Sequence, residues 1–106
     1  MTWITVHGHT ETGPTRAQNE DMMTVGRFLK NAGPVEIRFT HDDDYVYRYG
    51  WTSVIADGMG GHAAGALAAR LALRTFDTQF YSGEKNGDAA MMAQAIQCAA
   101  ERANNT

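Results

Sequence analysis

The segment from Val54 to Gly65, VIADGMGGHAAG, constrains the fold more than any other stretch of the chain. An apolar run ends on the pair Asp57-Gly58. Two further glycines follow, and an alanine-rich stretch opens at Ala63. Glycine weakens both strand and helix interiors, so the regular element before Asp57 must stop there and a new one must start after the glycines. The segment therefore reads as strand, tight turn and helix. It fixes Asp57 at a strand end and leaves the backbone beside it open to close approach.

The rest of the chain fits around that unit. Trp3 to Thr10 alternates as a strand does, with His7 and His9 on one face. Glu11 to Asn19 reads as a loop, and Asp21 to Leu29 as a second strand. Lys30 to Pro34 should turn the chain, Val35 to Thr40 form a third strand, and His41 to Asp44 a polar tip. Tyr45 to Tyr49 and Trp51 to Ala56 read as strands on either side of Gly50. Ala63 to Tyr81 carries Leu67, Leu71, Phe76 and Phe80 at helical spacing, which predicts a helix packed on a sheet. After the loop Ser82 to Gly87, Asp88 is placed to cap a second helix reaching about Ala103, with Met92, Ile96 and Ala99/Ala100 on its apolar face. Strands followed by helices favour an α+β fold with an antiparallel sheet, and 106 residues suffice for at most one small domain.

Charge and cysteine usage narrow the partners. The net charge is −3 and no Lys/Arg cluster occurs, which argues against nucleic acid or an anionic membrane surface. Cys98 is the sole cysteine, so an internal disulfide is impossible and a reducing, cytoplasmic setting is expected. The sequence carries no signal-peptide pattern and no apolar run long enough for a transmembrane helix.

Acidic residues carry the chemistry. Asp57 is a hard oxygen ligand suited to Mg2+ or Mn2+, able to bridge two ions, and the carbonyl of Gly58 can face an ion too. Upstream, RAQNED holds Glu20, which can ligate one ion, and Asp21, which can orient water on the metal. Two adjacent ions generate a nucleophile and neutralise a phosphate. Arg16 supplies a guanidinium fork for phosphate, and His62 can protonate a leaving alkoxide. Each feature has a plain structural reading beside it: an Asp-Gly turn, a solvated arginine, a histidine at a helix entry. The glycine turn also suits an anion, but it lacks the Lys-Ser/Thr ending of a nucleotide P-loop. His7 with His9, and the run His41 to Asp44, read as ordinary strand and tip residues before they read as cation ligands. Cys98 reads as helix packing, and Met22-Met23 and Met91-Met92 as core.

In this order, GPTRAQNED and VIADGMGGHAAG resemble two motifs of the metal-dependent, type 2C-like serine/threonine protein phosphatases, in their bacterial branch. The resemblance runs from about residue 9 to the end. It implies two antiparallel sheets packed as a sandwich with helices outside (α-β-β-α), of which this chain would be the N-terminal part. It implies hydrolysis of phosphoserine and phosphothreonine in a phosphoprotein substrate, using two Mn2+ or Mg2+ ions, in opposition to a Ser/Thr kinase. By the same resemblance Asp57 is the bridging ligand, Gly58 a carbonyl ligand, Glu20 a ligand of one ion, Asp21 an orienter of water, and Arg16 the phosphate-binding residue. His62 matches less closely, because in members with a shorter turn the proposed acid directly follows Asp-Gly, where this chain has Met59. The segment Thr24 to Tyr49 is longer than in compact members. The family's further aspartates have no counterpart after Asp88, where Glu101 is the one acidic residue. A chain so shortened is expected to be inactive alone and to self-associate. The alternative is a non-catalytic phosphatase-like binding module; a simple metal-binding α+β domain is a third class.

Overall fold

A computed structural model of the chain describes residues 2–14, 19–58 and 63–104. Five strands and three helices follow in the order β1 (Trp3–Thr10), β2 (Met22–Val25), β3 (Phe28–Lys30), β4 (Gly33–Thr40), α1 (Asp44–Tyr49), β5 (Ser53–Ala56), α2 (Ala63–Phe80) and α3 (Ala89–Asn104). The class is α+β with antiparallel sheets. β1 and β4 form a two-stranded ribbon with Trp3 opposite Thr40 and Thr10 opposite Gly33. The second sheet has the order β3-β2-β5, all antiparallel.

The single strand expected from Asp21 to Leu29 is instead a hairpin. Val25 pairs with Phe28 across a two-residue turn, and Gly26 takes φ +62°. That conformation costs glycine little and is the one a tight hairpin turn of this kind requires. The turn is tied down by Arg27, whose guanidinium donates to both oxygens of Asp77 on α2 (2.8–3.2 Å) and lies 5.1 Å from the Tyr81 ring centre.

The segment Tyr45 to Tyr49 is a helix, not the expected strand. Its β-branched and aromatic residues favour a strand, but local contacts outweigh that preference. The Asp43 carboxylate caps the helix by accepting from the Val46 N–H at 3.0 Å. Tyr45 and Tyr49, one turn apart, bring their rings to 4.8 Å. Asp44 faces Arg48 in an i,i+4 pair.

The two faces of the three-stranded sheet have different partners. Met22 packs with Ala69 and Leu73 of α2, and Val54 and Ala56 of β5 join them. On the other face, Gly8 of β1 lies against Met23 and Val25, where an added Cβ would come within 3.0 Å of the Met23 sulfur. Among the described residues no helix covers the outer face of the ribbon, where Thr5, His7, His9, Glu36 and Arg38 are exposed. A complete four-layer arrangement is thus not seen.

The apolar helix faces match the expected ones in part: Phe76, Phe80 and Ala99 are buried as expected. α2 buries Ala69, Leu73, Phe76 and Phe80, while Leu67 and Leu71 are exposed. α3 meets α2 through Ala95, Ala99 and Ala103, and Ala99 is fully buried; Ile96, Met91 and Cys98 face outward. The α3 side of the seam is thus made of alanines, packed against Phe76 and Phe80 of α2. Asp88 caps α3 as expected, accepting from the N–H groups of Ala90 and Met91.

Lys85 closes the lower end of this core. Its ammonium is buried and donates to the carbonyls of Tyr49 (2.8 Å), Phe80 (2.6 Å) and Gly83 (2.9 Å). It also lies over the Phe80 ring. The lysine thus satisfies carbonyls at the C-terminal ends of two helices, which carry orphan acceptors and partial negative charge. Burial pushes its pKa down.

Candidate active site

The site is built where β2 begins and β5 ends. The ladder pairs Met22 with Ala56. Continued outward by one and two residues, the same register sets Asp21 opposite Asp57 and Glu20 opposite Gly58. Two motifs more than thirty positions apart in sequence therefore meet as neighbours across a strand pair.

Gly58 shows how close that meeting is. It is buried, and a Cβ built on it would stand 2.5 Å from the Glu20 carbonyl oxygen and 2.5 Å from that of Gly65. Main chain from the β2 entrance and from the first turn of α2 therefore crowds it on two sides, and only hydrogen fits. Glycine at this position is a packing requirement that joins strand, acidic segment and helix.

Glu20 is 3% exposed, whereas Asp21 and Asp57 are exposed. Alternation along a strand explains the difference. Glu20 shares the face of Met22, which α2 covers, and Asp21 shares the face of Met23. Asp21 and Asp57 continue the non-hydrogen-bonded positions of the ladder, where side chains of opposed residues lie closest. Carboxylates at such positions offer oxygen donors of the kind a hard cation takes.

Asn19 is a site residue that sequence reasoning missed. Its side-chain oxygen accepts from the Asp21 N–H at 3.0 Å. Its amide nitrogen donates to Thr10 Oγ1 at 2.6 Å and to the Asn31 carbonyl at 2.9 Å. One side chain thus pins the acidic segment to the end of β1 and to the β3–β4 turn. The signal was present in sequence as an Asn two residues before the Asp, the spacing of a side-chain-closed turn.

Arg16 and His62, proposed for phosphate binding and proton donation, lie outside the described residues. Among the described residues no group of three or more His, Cys, Asp or Glu side chains is assembled to hold a metal ion. The other histidines have local roles. His7 lies near Glu36 and His9 near Glu11 on the exposed ribbon, and His41 approaches the Thr2 carbonyl. Asp43, in the acidic run at the tip, is spent on capping α1. No helix of the described residues is long and apolar enough to cross a membrane.

Compared with protein-family models, curated proteins and solved structures, the chain matches none.

Proposed function

We propose that the chain forms part of a metal-dependent, type 2C-like serine/threonine protein phosphatase domain of the cytoplasm, acting on a phosphoprotein and opposing a Ser/Thr kinase. One observation carries this reading. The β2–β5 register brings the acidic segment Glu20-Asp21 against Asp57-Gly58, with Gly58 in contact with the Glu20 backbone. A plain Asp-Gly turn needs no second acidic pair across the ladder.

The donors suit a hard divalent ion in kind, carboxylates from Glu20 and Asp57 and the Gly58 carbonyl, although strand alternation sets Glu20 on the face that α2 covers and Asp57 on the other. They would fill part of the coordination shell of two Mn2+ or Mg2+ ions. When bound, such ions supply an activated water and charge neutralisation for phosphoester hydrolysis. The chain's own residues do the rest. Asp57, held at the end of β5, sets the position of the cation pair. Asp21, directed to the same face and fixed through Asn19, accepts a hydrogen bond from the attacking water and orients it in line with the phosphorus. Arg16 grips the equatorial phosphate oxygens, and His62 donates a proton to the departing seryl or threonyl oxygen.

The second reading is a non-catalytic phosphatase-like binding module. One pair of measurements separates the two. Mn2+ binding is followed by calorimetry, and turnover of para-nitrophenyl phosphate is followed with and without Mn2+. The enzymatic reading expects Mn2+-dependent turnover in a polypeptide that contains the whole domain. It also expects Asp57→Asn to lower that turnover by orders of magnitude with the fold intact. Mn2+ binding without turnover selects the module. Near-normal turnover by Asp57→Asn removes the residue from the mechanism.

A further inference from the structure

A cavity of about 290 Å3 lies between the β2–β3 hairpin and α2. Thr24 and Leu29 line it from the two strands, Arg27 from their turn, and Leu73, Arg74 and Asp77 from the helix. Met22, Leu29 and Leu73 pack together, so the walls belong to elements that already hold one another.

Thr24 is 4% exposed. Its cross-strand partners Leu29 and Val54 both pack toward α2, so its side chain points to the helix as well. Buried hydroxyls are normally paired. Among the described residues none pairs with this one, and it is not sealed off by its neighbours. It therefore opens onto the cavity. The charges there do not cancel. Arg27 and Asp77 neutralise each other through a forked ion pair. Arg74 is exposed and meets no carboxylate among the described residues. The cavity thus holds one uncompensated positive charge and one buried hydroxyl.

We propose that this cavity binds a small monocarboxylate with a hydroxyl a few carbons from the acid group, a short-chain hydroxy acid. The Arg74 guanidinium takes the carboxylate through two parallel N–H donors. A single uncompensated charge selects a monoanion, because a dianion such as phosphate would set a second negative charge beside Asp77 with no cation to match it. Leu29 and Leu73 offer an apolar wall to the carbon chain. Thr24 can donate and accept at once, which a hydroxyl matches and a methyl does not. A volume at the small end of ligand pockets admits only a few carbons. The inference is independent of the metal reading, since Thr24 faces α2 whereas Asp21 shares the opposite face of β2.

The test titrates the isotope-labelled full chain with β-hydroxybutyrate and follows its amide shifts by NMR. Saturable shifts are expected at Thr24, Arg74 and Thr78, all on the cavity wall. Isopropanol, which lacks the charge, and inorganic phosphate should each bind at least tenfold more weakly. Butyrate, which lacks the hydroxyl, should bind about threefold to tenfold more weakly, as the loss of one hydrogen bond implies. Arg74→Gln changes an exposed helix position and should weaken β-hydroxybutyrate binding at least tenfold. Thr24→Val should erase the preference over butyrate. Should that variant not fold, Arg74→Gln and the ligand comparison carry the test. Absence of saturable shifts at these amides overturns the proposal, as does unchanged binding by Arg74→Gln or equal binding of butyrate to the wild-type chain. Phosphate binding as strong as that of the hydroxy acid also overturns it and makes the cavity a general anion site.

Discussion

Gly58→Ala tests whether the acidic segment, β5 and α2 are held as one unit. The added methyl carbon would stand 2.5 Å from two main-chain oxygens, those of Glu20 and Gly65, and 2.8 Å from the Gly65 carbonyl carbon. Even a close carbon–oxygen contact needs about 3.3 Å, so each oxygen must retreat by about 0.8 Å. Neither belongs to a side chain that can rotate away. One is anchored beside the β2–β5 ladder, the other in the first turn of α2. Overpacking against side chains costs about 1–3 kcal/mol, and rigid main chain on two sides places this case near the top of that range, at about 3 kcal/mol. With a urea m-value of about 2 kcal/mol/M for a chain of this size, the unfolding midpoint should fall by about 1.5 M. Gly83→Ala is the control, because a Cβ there meets nothing within 4 Å, and its stability should match wild type within about 0.5 kcal/mol. Both are read by circular dichroism in urea. A Gly58→Ala midpoint equal to that of the control would refute the claim that backbone crowding demands glycine here.

Three further outcomes follow from named contacts. Lys85→Met keeps the volume but strips three buried carbonyls of their donor. Each lost charge-assisted bond is worth about 1.5–3 kcal/mol, and relief of the buried charge offsets part of the sum. A net loss of about 2–4 kcal/mol in urea unfolding is expected, and a neutral result would contradict the role given to the ammonium. Arg48 holds the Glu84 carboxyl below its usual pKa. The folded chain therefore releases that proton more readily than the unfolded chain. The resulting stability is present above about pH 4.5 and fades as pH falls through the lowered value. Glu84→Gln should flatten that part of the acid limb in thermal melts, and an unchanged limb would exclude the pair as a source of acid sensitivity. For the proposed phosphatase, Arg16→Ala should raise KM for a phosphopeptide while leaving Mn2+ affinity nearly unchanged; the reverse pattern would assign Arg16 to the metal.

Patterns with one dominant physical cause were legible in the sequence. β1 alternates and is a strand over the expected residues, and Asp88 precedes an apolar helical stretch and caps it. The helix at Tyr45 to Tyr49 was not legible, because its intrinsic preference is for a strand and its stability comes from the Asp43 cap and the Tyr45–Tyr49 contact. The core faces of α2 and α3 were legible only in part: Phe76, Phe80 and Ala99 are buried as expected, whereas Leu67, Leu71 and Ile96 are exposed. With alanine on every side, Leu67, Leu71 and Ile96 look like part of the buried stripe, whereas α3 turns alanines toward the aromatic residues of α2. At the site, Glu20, Asp21, Asp57 and Gly58 stood out as residue types. That they lie opposite one another depends on strand register, which two separate motifs do not encode.

The β1–β4 ribbon has a kinetic consequence. Among the described residues, it touches the sheet around Gly8, and Phe39 meets Trp51 with ring centres 4.6 Å apart. None of its residues is fully buried. The helices and the β3-β2-β5 sheet can keep their own buried clusters while the ribbon detaches. Its amides should therefore exchange with solvent through a local opening well below the global unfolding free energy. The Asn19 hydrogen bond to Thr10 then links that opening to the acidic segment, because the same side chain accepts from the Asp21 N–H, so the ribbon's breathing loosens the hold on the backbone at Asp21.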